Sequence, residues 1–375
     1  MGSGIDRSVS LVFKRLAPLG ILVLVYCFAA ILLQLFANFP FHDDWTYAWS
    51  VEHLLKTGEL RILDWSVHYP FAQILWGTLF CLPYGFSFSA LRVSTLVLGW
   101  MGALALYATL REFGRTRTES LFGTLILVAN PVVFVLTFSF MTDVPFLSVS
   151  NIAFLFIVRG LSRRNLFELW LGCALGAGAF FIRQIAIAIP GSLLLYVLLA
   201  PSYRSWRFIL PPLTLTLLIC LMPFLIGHTS GLTGQYTAKT TWVIDFWLHR
   251  YDQALPGILR ILTHTGLALV PVSMSVIASF YRRRLFWASI TVLFVLTVGS
   301  ILFSGEILQP LDGMWRLSTL GKERYLLKGV TVPDFLPAWF NYPVFVLSLF
   351  SAAGIIVKII DVLGLGTEKP FALLV

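Results

Sequence analysis

Residues 17–37 run for a bilayer's width of apolar side chains without one charge, close to the ~20 residues an α-helix needs to cross a hydrocarbon core ~30 Å thick. Comparable runs recur along the chain, and inside lipid only helices and closed barrels satisfy their own backbone hydrogen bonds. Because 58% of the residues are hydrophobic, only 12% are charged and the mean hydropathy is +0.85, too little polar surface exists to coat a soluble globule of this size. The expectation is an all-α, polytopic, multi-pass membrane protein. No small-residue cleavage site follows the first run, so it is read as a retained helix rather than a signal peptide. Cys27, Cys81, Cys173 and Cys220 all lie inside apolar runs without metal-ligand spacing and are read as packing residues.

The number of crossings turns on Pro70 to Pro83, which is apolar but only 14 residues long. Such a helix rises ~21 Å, so a re-entrant or interfacial segment fits it better than a span. If it does not cross, the turns bearing Arg111/Arg115/Arg117, Arg159/Arg163/Arg164, Arg204/Arg207 and Arg282/Arg283/Arg284 share a side with Arg7, Lys14 and Arg15. The positive-inside rule then predicts ten spans with both termini in the cytoplasm: 17–37, 88–110, 119–140, 143–159, 167–183, 185–200, 208–227, 257–280, 285–304 and 339–360. The net charge of +9 is accounted for by the cytoplasmic turns, so it reports orientation and gives no support to nucleic-acid binding.

Three regions, 38–87, 228–256 and 305–338, fall on the outer side. In the first, Trp45, Ala48, Trp49, Val51 and Leu55 recur at helical spacing before Gly58, which predicts an amphipathic interfacial helix over 44–57. Residues 242–251 read the same way. With no internal repeat and no soluble segment, residues 1–375 are read as one transmembrane domain.

Asp43 and Asp44 stand together in the first outer loop, flanked by His42, Trp45 and Tyr47. Paired carboxylates beside a bilayer suffer desolvation and mutual repulsion. They suit a general base, a metal ligand, or a cap at the positive end of a helix dipole. Asp143, in Met141-Thr142-Asp143-Val144-Pro145, lies at an outer helix junction on the same predicted face, where Thr142 or Asp143 also suits a helix cap. Arg183 is the only charge in the run 177–190 and requires an anion, either in an ion pair with Asp143 or another acid or as a phosphate clamp. His68 precedes Tyr69 and Pro70; a divalent metal held by Asp43 and His68 is left open. Arg250, with Lys239, His249, Arg316, Lys322 and Arg324, supplies outer cations for a lipid phosphate or an acidic acceptor.

Taken in order, Asp43-Asp44-Trp-Thr-Tyr47, the Gly58 stop, His68-Tyr69-Pro70, Ser89 to Ser94, Thr142-Asp143-Val-Pro145 and the helix pair around Arg183 resemble the membrane-embedded GT-C glycosyltransferases that use polyprenyl-phosphate sugars. The protein O-mannosyltransferases and the lipid A aminoarabinose transferase belong to this group. The resemblance covers about residues 17–200, leaving 201–375 for further helices and outer loops. It implies Asp43 as catalytic base, a second acid at Asp44 where the family commonly has Glu, and Asp143 as the acid nearby. Some members hold lipid phosphate with a Lys before the loop proline; Tyr69 stands there, so the substrate-binding set becomes Arg183, His68, Tyr69, Tyr47 and Arg250. The implied activity is inverting transfer from a polyprenyl-phosphate sugar to a lipid, glycan or protein acceptor, at the periplasmic face of a bacterial inner membrane. A lipid-linked-sugar flippase, a secondary transporter and an inactive scaffold of the same fold are the rival expectations.

Overall fold

The computed structural model describes residues 20–21, 24–28, 38–41, 43–62, 66, 69–228, 284–304, 346–347, 349–354 and 356–357. Their regular elements are helices, with no β-strand among them. The chain divides into two compact units, Met1–Thr237 and Ala238–Val375.

In the first unit, α1 (Asp44–Thr57) begins at Asp43 and ends at Gly58, whose φ of +74° lets its N–H close on the Leu54 carbonyl. The short α2 (Phe71–Cys81) starts immediately after Pro70. Ser87 then caps α3 (Phe88–Glu112) by accepting from Ser89 and Ala90. A capping box between Thr116 and Glu119 opens α4 (Arg117–Val128), and Asn130 caps the single-turn-scale α5 (Pro131–Thr137). Helices α6 (Asp143–Ser162) and α7 (Leu166–Phe180) follow, the second capped by Asn165. A 3₁₀ turn (Gln184–Ile187) leads into α8 (Ala188–Leu199), and a second (Pro201–Tyr203) precedes α9 (Trp206–His228).

Helix α6 packs between α3 and α7, and α9 packs on α7 and α8. Glycines set the spacing: a Cβ on Gly102 would lie 2.5 Å from the Ser148 Cα, one on Gly160 2.6 Å from the Leu169 nitrogen, and one on Gly172 2.7 Å from the Ile157 nitrogen. In lipid, where burying an apolar side chain gains little, close backbone approach through small residues is what brings helices together.

Charged contacts show which helix ends meet. Glu112, at the end of α3, accepts from Arg159 at 2.8 Å and Arg163 at 2.7 Å, at the end of α6. Asp143, at the start of α6, pairs with Arg183, which follows α7. The turn bearing Arg159 and Arg163 and the Asp143–Arg183 pair therefore occupy opposite ends of α6, whose 20 residues rise ~30 Å. Helices α3 and α6 are also the two described helices long and apolar enough to cross a membrane. Outward-facing Phe122, Ile126, Phe167, Leu195, Leu217 and Leu221 add a wide apolar surface.

In the second unit, α10 (Arg284–Ser304) presents Phe286 and Leu293 to a core shared with Leu349, Ala352, Ala353 and Val357.

The predicted single span over 119–140 is broken in two. Asn130 has ψ +123° and its side chain accepts from Val132 and Val133, because the ring of Pro131 disfavours helical backbone at the preceding residue. The predicted span 185–200 opens as a 3₁₀ turn before Pro190. Helix α1 has its predicted limits; Ala48 and Val51 are buried and Trp45 and Leu55 pack on the core, Asp44 and Tyr47 also face inward, and Trp49 is 46% exposed and meets Trp45 at 4.8 Å. The 11 residues of α2 rise ~16 Å, in line with a segment too short to span. Residues 257–280, the helix expected over 242–251, and the ends of the first and last predicted spans lie outside the described residues.

Candidate active site

The segment between Asn38 and Phe41 is tied down before α1 begins. The Asn38 Oδ1 accepts from the Phe88 N–H at 2.8 Å, and Arg92 of α3 donates to the Phe39 carbonyl at 2.6 Å while its guanidinium lies over the Phe39 ring. Arg92 is only 4% exposed. The two acids that follow are thereby separated in role. Asp43 is exposed, at the N-terminus of α1, and its backbone carbonyl accepts from Thr46. Asp44 is 0% exposed. Its Oδ1 accepts from the Phe41 N–H at 2.7 Å and its Oδ2 from the Phe140 N–H at 3.3 Å.

Burial pushes the Asp44 carboxyl up from 3.8 to about 6; the Phe41 and Phe140 N–H groups and the charge of Arg92 oppose that rise, and Asp43 adds to it. Asp44 thus joins α1 to the chain just before α6. On that segment Thr142 is buried and hydrogen-bonded to Tyr47, and Asp143 pairs with Arg183. Burial raises the Tyr47 phenol; the Thr142 hydrogen bond and the Arg183 charge oppose it, and Asp143 and Asp43 reinforce it. Tyr47 therefore stands within the electrostatic reach of Asp43, Asp143 and Arg183 together.

The first turn of α2 closes the arrangement from another side. The Ala72 N–H donates to the Phe181 carbonyl at 3.0 Å, two residues before Arg183. The next residue, Gln73, is 1% exposed and donates Nε2 to the Phe140 carbonyl at 2.7 Å, three residues before Asp143. Tyr69 packs flat against Phe71 and Phe180 in the adjoining core.

Asp44, Tyr47, Asp143 and Arg183 are thus brought to one end of the helix bundle, with Asp43 beside them. Tyr69 lies in the supporting aromatic core. His42, His68 and Arg250, with Lys239, His249, Arg316, Lys322 and Arg324, lie outside the described residues, as does any metal site that uses His68. Among the described residues no three His, Cys, Asp or Glu side chains converge as metal ligands.

The sequence did not single out Gln73 or assign a role to Arg92. Arg92 carries the same signal as Arg183, a lone charge in an apolar run. Gln73, a polar amide inside Pro70 to Pro83, carries a weaker one.

Residues 68–226 match the family model described as dolichyl-phosphate-mannose-protein mannosyltransferase, a GT-C-type family. The matched segment begins at His68 and includes Tyr69, Gln73, Arg92, Phe140, Asp143 and Arg183; Asp43 and Asp44 precede it. Its helices and apolar surface are consistent with a membrane glycosylation enzyme. No curated protein matches the chain.

Proposed function

We propose that this protein is an inverting glycosyltransferase that moves a sugar from a polyprenyl-phosphate donor to an acceptor hydroxyl at the outer face of a bacterial inner membrane. The acceptor is a lipid, glycan or protein. The observation that carries this reading is the Asp143–Arg183 pair, inside the segment matched by the mannosyltransferase family and at the end of the bundle where Asp44, next to Asp43, holds the segment before Asp143.

In the reaction, Asp43 removes the acceptor proton as the acceptor oxygen attacks the anomeric carbon. The new C–O bond forms on the face opposite the departing phosphate, so the sugar inverts. The electron pair of the breaking bond passes to the phosphate oxygen, where a guanidinium stabilises the developing charge. Arg183 suits that task because a guanidinium carries five N–H donors in a planar fork, and Asp143 fixes the direction in which the fork points. Asp43 is exposed, as a base that must meet an incoming acceptor requires. Asp44 is buried with both oxygens engaged, and its part in the reaction is to hold the loop rather than to take the proton.

The test is transfer of radiolabelled sugar from polyprenyl-phosphate donors by the purified protein. Transfer supports the reading; movement of such lipids between leaflets without transfer replaces it with a flippase. Orientation is tested separately in a background lacking the four native cysteines. Thr57→Cys should react with an impermeant thiol reagent in intact cells, and Thr118→Cys only after permeabilisation; both sites are exposed. Labelling of Thr118→Cys from outside reverses the orientation.

A further inference from the structure

We infer that the first turn of α2 is a positioning device for the transfer reaction, with Gln73 as its principal side chain, a role that rests on the glycosyltransferase reading above. Two consecutive residues of this turn reach the two backbone segments that lead into the ion pair. Ala72 holds the Phe181 carbonyl before Arg183, and Gln73 holds the Phe140 carbonyl before Asp143. Phe140 is gripped on both of its backbone polar groups, one in each of the two peptide groups that flank its Cα, since Asp44 of α1 accepts from its N–H at 3.3 Å while Gln73 donates to its C=O at 2.7 Å. Asp43, adjacent to Asp44, is therefore coupled through one residue, Phe140, to the segment that bears Asp143 and, through the ion pair, to Arg183. The base and the phosphate-facing arginine come from segments 140 residues apart in sequence, and this is the contact that sets their separation.

The chemistry of Gln73 points the same way. Its Oε1 is buried and has no hydrogen-bond partner among the described residues. An unsatisfied buried amide oxygen costs free energy that an aliphatic side chain of similar size would not incur. Gln73 is thus a poor choice for packing alone and a good one for donating a single bond to a fixed carbonyl. Helix α2 is otherwise well anchored, with Trp76 Nε1 donating to the Ser94 carbonyl of α3 at 2.9 Å and Gly77 against the Phe140 ring. Its first turn therefore stands on a rigid base, as a positioning element requires.

The experiment compares wild type with Gln73→Leu in full-length protein, measuring kcat and donor KM in the transfer assay and deuterium exchange at Phe140. Loosening the peptide should lower kcat roughly 10-fold or more while donor KM changes less than about 3-fold, since small displacements of reacting groups act on turnover. The Phe140 amide should exchange faster. Adding Asp44→Asn to Gln73→Leu should cost less than the product of the two single losses, because both act on the backbone of one residue, Phe140. Where Gln73→Leu fails to accumulate, Gln73→Asn, which shortens the reach by one methylene and stays polar, gives the same readouts. Unchanged kcat, a KM-only effect, or unchanged exchange at Phe140 overturns the positioning role while leaving the transferase reading intact. An inactive wild type overturns both.

Discussion

The two ends of the helix bundle each carry a cross-helix ion pair, yet they are built to different standards. At the basic end, Glu112 meets Arg159 and Arg163, Glu168 lies 3.8 Å from Arg163, and the Thr116–Glu119 capping box closes the neighbouring turn. Among the described residues its cations outnumber its acids, and none of its acidic residues is fully buried, although the Glu168 Oε2 is buried without a hydrogen-bond partner. The other end has the Asp143–Arg183 pair, a carboxylate buried at Asp44, a buried guanidinium at Arg92 and a half-satisfied amide at Gln73. Removing charges from water in this way opposes stability unless geometry and hydrogen bonds offset it. The contrast separates an end that orients and closes the bundle from an end organised around placed polar groups.

The largest effect that sharpens this contrast is Asp43→Asn. It keeps the shape and removes the proton acceptor, so transfer should fall at least ~10²-fold with the protein still folded and inserted. Near-normal turnover in the radiolabel assay would remove Asp43 from the catalytic role. Arg183→Ala should come next, lowering turnover by ~10-fold or more, whereas Arg183→Lys should retain part of it because the charge persists without the planar fork. Equal activity of the Lys variant and wild type would speak against a guanidinium acting on phosphate.

A third prediction concerns stability rather than rate. The Asp44 carboxyl is raised in the folded protein, from 3.8 to about 6, so the folded state binds more protons than the unfolded one between those values. Its contribution is fully present below about 4 and is lost as pH rises through about 6, a difference on the order of 3 kcal/mol at most. Asp44→Asn should therefore flatten the pH dependence of thermal unfolding in detergent between pH 4 and 7. An unchanged slope would show that burial of Asp44 is not what governs it. The smallest effect belongs to the other end: Glu112→Gln should lower stability by up to about 1 kcal/mol and change turnover less than ~2-fold. A loss of activity comparable to that of Arg183→Ala would erase the distinction between the ends.

Local rules made α1 legible: a hydrophobic period, an acid at its start and Gly58 at its stop give its observed limits of Asp44–Thr57. They did not reveal that the charged Asp44 is buried while the large apolar Trp49 is 46% exposed. The burial of Asp44 was decided by Phe140, a partner 96 residues away, whose N–H the carboxylate accepts. The break before Pro131 was legible as an Asn-Pro pair but was outweighed by the continuous hydropathy around it. Arg183 could be singled out because a lone charge among apolar residues demands an anion, and Asp143 supplies it. The Gln73 contact spans 67 residues and the Arg92 contact 53, and neither follows from spacing along one helix.

The close approaches at Gly102, Gly160 and Gly172 bear on how the protein must be handled. Contacts with Ser148, Leu169 and Ile157 hold α3, α6 and α7 by direct packing of backbone on backbone, an interaction that does not depend on the surrounding hydrocarbon being a bilayer. A detergent micelle that replaces the lipid leaves these contacts in place. Extraction conditions are therefore best chosen to protect the loop before α1 and the Arg183 segment, which rest on a few polar bonds, while the three-helix spine tolerates the change of solvent.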